Sequence, residues 1–142
     1  MANQWYPKGK EAVMKKLIDF VTDAMTLYLI RTSAGPNAGG NPVYTYSAAH
    51  TTLAANVPNN AYCRAASIAV AVPARVVTNG DFDFTDPQFA AVAAGDPIGA
   101  VILVHDGTGQ LLAYGDSAGG NLPITPDGRA INFVTAGVFG TI

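Results

Sequence analysis

The stretch that decides the fold is AVILVHDGTGQLLAYGD, residues 100 to 116. Two apolar runs, AVILVHD and QLLAYGD, flank Asp106-Gly107-Thr108-Gly109. Glycine accepts a positive φ without steric cost, so DGTG between two such runs predicts a hairpin of antiparallel strands. Working outward, short strand-like runs recur on both sides. MTLYLIR starts at Met25, VYTYS at Val43, and another run lies near Tyr62 to Val72. Arg75 to Thr78, FDF from Phe82, PQFAAV from Pro87 and RAINFV from Arg129 follow the same habit. Turns such as Pro58-Asn59-Asn60 and Thr125-Pro126-Asp127-Gly128 separate them. The expected fold is mainly β, a β-sandwich or barrel of short antiparallel strands with one N-terminal α-helix packed on it.

That helix is predicted from Lys8 to about Val21. Val13, Leu17, Phe20 and Val21 fall at helical spacing on one face, and Pro7 sits near the start. Ala48 to Asn60 has room for one helical turn. The 142 residues are expected to form a single domain, with an arm and helix over 1–24 and a β domain over 25–142. SAGPNAGGNP, residues 33 to 42, reads as a contact loop within it.

Composition narrows the function classes. Charged residues are only 13% of the chain and net charge is −2, so nothing draws the whole molecule onto nucleic acid. Low charge beside 49% apolar residues suits surface that neighbouring subunits cover. Cys63 is the only cysteine, which excludes an intrachain disulfide and points to folding in a reducing compartment. No apolar run reaches the roughly 18 residues that span a bilayer, and MANQWYPKGKEAV lacks the apolar core of a signal peptide.

Three catalytic patterns invite attention and each breaks. YSAAH, ending at His50, and YGDSAGG, containing Ser117, imitate the base and nucleophile of a trypsin-like protease, with Asp83 or Asp96 as the orienting acid. His50 and Ser117 are only 67 positions apart, too few to build a site between two barrels. Ala118 also separates Ser117 from Gly119-Gly120 and displaces the oxyanion amides. DFDFTD, residues 81 to 86, imitates a phosphatase signature that belongs at the end of a buried parallel strand. Here alternation places Phe82 and Phe84 inside and Asp81 and Asp83 outside. His50, His105, Asp106 and Asp83 lack the short spacings of a metal site. GPNAGGNP lacks the lysine and following helix of a phosphate cradle. No catalytic residue, cofactor or metal is therefore assigned, and the chain is read as a non-enzyme.

Taken in order, certain segments are familiar as a set. They are WYPKGKEAVMKKLIDF, MTLYLI, YTYSAAHTTLAANVP, GDFDFTDPQFAAV, AVILVHDGTGQLLAYGDSAGGNLPITPDGRAINF and the terminal VFGTI. This series resembles small structural proteins encoded in the head and tail gene modules of tailed bacteriophages. It spans nearly the whole chain, with departures at Gly35 to Pro42 and Arg64 to Val76. The resemblance implies a virion protein assembled in the host bacterial cytoplasm, most specifically a capsid decoration or cement protein. Its partners would be the major capsid protein and copies of itself, with neither nucleic acid nor membrane.

A neck, head-tail connector or tail component is the alternative place in the same particle. A host-glycan module using Tyr44, Tyr46 or Tyr114 is a further reading. The expected contact residues are Trp5, Tyr6, Lys10, Lys15, Lys16, Pro36 and Asn37. Trp and Tyr anchor interfaces at small entropic cost, while the competing reading makes Trp5-Tyr6 a lid on the protein's own core.

Overall fold

The computed structural model describes residues 4–32, 40–71, 75–79, 81–116 and 122–133. Among them run β1 (Gln4–Trp5), α1 (Pro7–Met14), β2 (Met25–Arg31), α2 (Leu53–Asn56), β3 (Arg64–Ala69) and β4 (Val76–Thr78). They are followed by β5 (Asp81–Asp83), β6 (Gln88–Phe89), β7 (Ile98–His105), β8 (Leu111–Gly115) and β9 (Ile131–Asn132). Every strand pairing is antiparallel. The result is a mixed α/β fold: a five-stranded sheet of order β1-β8-β7-β2-β3, with two-stranded ribbons β4-β5 and β6-β9.

The hairpin forms where DGTG places it. β7 pairs with β8, Ile102 opposite Tyr114, and Gly109 takes φ +68 while its N–H bonds to the His105 carbonyl at 2.8 Å. Every residue of β7 and β8 is buried, because both faces of the sheet are covered. On one face Leu27, Leu29, Val101, Leu103 and Leu112 pack with Phe20, Phe82, Phe84 and Phe89. On the other, Ile30, Ala100, Ile102, Val104 and Leu111 meet Tyr6, Tyr44, Val57 and Cys63.

Three expectations need correcting. The main sheet does not close into a barrel among the described residues, since β1 and β3 stand at opposite ends of its strand order. Two short ribbons, not a second full sheet, supply Phe82, Phe89 and Ile131 to one core. VYTYS is not a strand: Tyr44 is buried and its N–H reaches the Arg31 carbonyl at 2.9 Å, but no ladder continues. The single expected helix is two. Thr52 caps α2 by accepting the Ala55 N–H at 3.3 Å, and α1 is far shorter than its periodicity suggests.

The cause of that shortening is local. Lys16 adopts φ +58; its N–H bonds to the Val13 carbonyl and the Leu17 N–H to the Ala12 carbonyl, at 3.0 and 2.9 Å. This pair of bonds closes a helix in a Schellman turn, whose left-handed position is normally glycine. Lysine there gives no stop signal, so the apolar period runs on in the sequence but not in the chain. Leu17 leaves the predicted apolar face and is 71% exposed, while Ile18 and Phe20 turn into the core.

Candidate functional site

The histidine of YSAAH is held by tyrosines. His50 Nδ1 lies 2.7 Å from the Tyr44 hydroxyl, which lies 2.7 Å from the Tyr6 hydroxyl. With an unprotonated Nδ1, Tyr6 donates to Tyr44 and Tyr44 donates to His50, so both buried hydroxyl protons are used. Tyr44 occupies the nitrogen that an orienting carboxylate would need. Burial, reinforced by the bond to Tyr44, pushes the Tyr6 phenol far above its ordinary range. Burial alone leads in raising Tyr44 and Tyr114 to about 12. These are neutral structural donors. Tyr44 and Tyr114 are also buried, so they offer no ring face to a sugar, which counts against the glycan reading.

The second histidine closes the hairpin. His105 Nδ1 meets the Thr108 hydroxyl at 2.8 Å and its Nε2 meets Asp23 at 3.3 Å. Among the described residues no three His, Cys, Asp or Glu side chains gather where they could hold a metal ion. Ser117 lies outside the described residues. Asp83 accepts the neighbouring Phe84 N–H at 2.9 Å, and Asp96 accepts from Asn41 at 3.3 Å. Phe82 is buried between exposed Asp81 and Asp83 in an antiparallel ribbon, and Phe84 is buried just beyond it. Burial pushes the Cys63 thiol up, away from the thiolate a nucleophile needs.

No family model, curated protein or solved structure matches the chain. Its function has to be read from its surface.

The expected contact residues divide. Tyr6 is fully buried against the Tyr44 cluster and is not a free surface group. Trp5 is half-buried, with ring centroids 4.6 Å from Phe82 and 6.3 Å from Phe20, so it covers its own core. Lys15 is exposed but bound to Glu11 at 2.5 Å, and Lys8 binds the same carboxylate at 2.8 Å. Those two hydrogen-bonded ammonium groups hold the Glu11 carboxyl down at about 2. Lys16 is exposed and Lys10 half-buried. Pro36 and Asn37 lie outside the described residues.

The structure also exposes several large apolar side chains, of which Leu17 and Val21 were expected on the buried helix face. Met14 and Leu17 are each 71% exposed, Val21 37%, Val76 48% and Val77 45%. Of these, Val21 and Val77 line a groove of about 480 Å³ with Val13, Ile18, Phe20 and Phe82, with Lys16 and Asp19 at its margin. A separate hollow on α1 lies between Pro7, Lys10, Glu11, Met14 and Lys15. Clustered apolar side chains in water mark a contact surface more strongly than scattered ones do. The left-handed Lys16 ends α1 and is followed by an exposed Leu17, and nothing in the sequence announces that conformation.

Proposed function

We propose that the chain is a non-enzymatic virion structural protein of a tailed bacteriophage, a decoration protein seated on the outer surface of the major capsid protein lattice. The scaffold is a layered, sandwich-like β module whose α1–β4 corner meets the capsid. One observation carries the reading: Val13, Val21, Val77 and Phe82 line an apolar groove between α1 and β4 with Lys16 at its margin, and Val21 and Val77 are exposed in it. Covering it with a neighbour removes apolar area from water at roughly 25 cal/mol per Å². Weak contacts of that kind become firm when a lattice repeats them.

The polar residues fit the same reading. Both histidines, the buried tyrosines and Cys63 are engaged in holding the fold, and the segment resemblance points to head and tail structural modules. The test is the number of copies per purified particle, measured by quantitative mass spectrometry. On the order of hundreds is expected for a protein that follows capsid symmetry. A dozen or fewer moves the chain to the neck or tail, and its absence from the particle overturns the virion reading.

A further inference from the structure

The two edges of the main sheet are treated differently. Beside β8 the sheet ends in β1, only two residues long, continued by irregular chain. Gln4 and Trp5 pair with Tyr114 and Ala113, the Tyr6 N–H bonds to the Leu112 carbonyl, and the Leu111 N–H bonds to the Thr51 carbonyl. The Leu53 N–H then takes the Gly109 carbonyl at 2.8 Å. Along β3, the opposite edge, no described strand is paired on the outer side.

Ladder parity tells which groups are bare. The Val70 N–H bonds to the Met25 carbonyl at 2.9 Å. Bonded and non-bonded pairs alternate in an antiparallel ladder, so Leu27–Ile68 and Leu29–Ala66 are bonded pairs as well. The other side of β2 agrees: the Asp106 N–H takes the Ala24 carbonyl, which turns Thr26 and Tyr28 toward β7. Ser67 and Ala69, opposite Tyr28 and Thr26, therefore aim their N–H and C=O groups away from the sheet. The register shift at Leu29/Ile30 falls at the start of β3 and leaves Ser67 to Ala69 regular.

Edge strands usually defend themselves with Lys, Asp, Glu or Pro. Ala65 to Val70 contains none of these. The one charge of β3 is turned inward: Arg64 donates to the Leu53 and Val57 carbonyls and lies 5.9 Å over the Tyr28 ring.

We propose that β3 pairs with β3 of a second copy of this chain, antiparallel about a two-fold axis at Ser67. Self-complementarity selects that occupant. With Ser67 opposite Ser67, Ala65 meets Ala69 and Ala66 meets Ile68, so small uncharged side chains face one another. The two Arg64 residues sit at opposite ends, each across from Val70, and no like charges meet. Both sheets join into one, and the outward groups of Ser67 and Ala69 find partners. A single strand edge buries less than the ~1,200 Å² of a standard interface, so the dimer is weak, with a dissociation constant of roughly 100 μM. It does not depend on where in a particle the chain sits.

The experiment is cross-linking with sedimentation velocity. A bonded antiparallel pair puts its Cα atoms about 5.5 Å apart, inside disulfide range. Ser67→Cys should therefore form a disulfide dimer on mild oxidation. Ala69→Cys should not, because its counterpart lies four residues along the strand, about 13 Å away. Cys63 is buried and does not compete. The wild-type chain should associate between about 10 and 500 μM. Ser67→Lys, an exposed position where two ammonium groups would meet, should stay monomeric over that range. A monomeric wild type at the highest concentration overturns the proposal. So does association that Ser67→Lys leaves intact, or Ala69→Cys cross-linking as fast as Ser67→Cys.

Discussion

Gly9→Ala is expected to destabilise the protein by about 3 kcal/mol or more, lowering the melting temperature by roughly 10 °C. Intrinsic propensity predicts the opposite sign, since alanine is better than glycine inside a helix by about 1 kcal/mol. The reversal comes from how α1 sits on the sheet. A Cβ at position 9 would lie 2.3 Å from the Leu111 carbonyl oxygen and 2.8 Å from the Leu112 Cα. Both obstacles are backbone of β8, a strand buried over its whole length, so neither can swing aside. α1 would have to lift, straining the Gln4–Tyr6 pairing with β8 and the Tyr6–Tyr44 hydrogen bond. Thermal denaturation checks it. A variant as stable as wild type, or more so, would show that α1 is not pressed onto β8.

Arg75→Met should act in the other direction, stabilising the fold by about 1–3 kcal/mol. The Arg75 side chain is 1% exposed, and among the described residues its Nε and both terminal nitrogens have no hydrogen-bond partner. Burial pushes the guanidinium pKa down, and Asp23, Asp19 and Asp106 pull it back up from a distance. A charge buried without hydrogen bonds costs more than distant Coulomb attraction returns. The aspartates do not rely on it. Asp19 accepts the Val21 and Thr22 N–H groups at 2.8 and 3.3 Å, and the Val21 bond leads in holding its carboxyl below the usual range. Asp23 accepts the Asp19 N–H at 2.8 Å and faces His105. Methionine keeps the length and flexibility of the stem without the charge. A rise in the denaturation midpoint is expected. A loss of more than about 1 kcal/mol would mean that the guanidinium is firmly partnered.

Much of the scaffold was legible because it is encoded locally. MTLYLIR is β2 to the residue, and the DGTG glycines place the β7–β8 hairpin. FDF alternation sorted Phe82 and Phe84 from the aspartates beside them. Pro7 marked the start of α1, but its end was hidden, since Lys16 takes a conformation that its side chain does not advertise. Leu17 and Val21 were misplaced for the same reason. Periodicity sent Leu17 and Val21 inward, and a turn after Met14 sends them out. VYTYS looked like a strand because Tyr44 and Tyr46 alternate with polar residues, yet their rings pack on Tyr6, His50 and Tyr114 and no second strand joins them. The open edge at β3 depends on strand order, which is long-range information that no short window contains. Arg75 could not be recognised as buried from a sequence in which it adjoins exposed valines.

The proposed decoration role is tested most directly by a cryo-EM map, at side-chain resolution, of purified particles of a tailed phage that encodes the chain. The chain should appear on the outer capsid surface, with Val21, Val77 and the groove they line covered by the major capsid protein and with Tyr6, Tyr44 and His50 sealed inside their own protomer. A particle that lacks the chain, or holds it with that groove facing open solvent, would contradict the account.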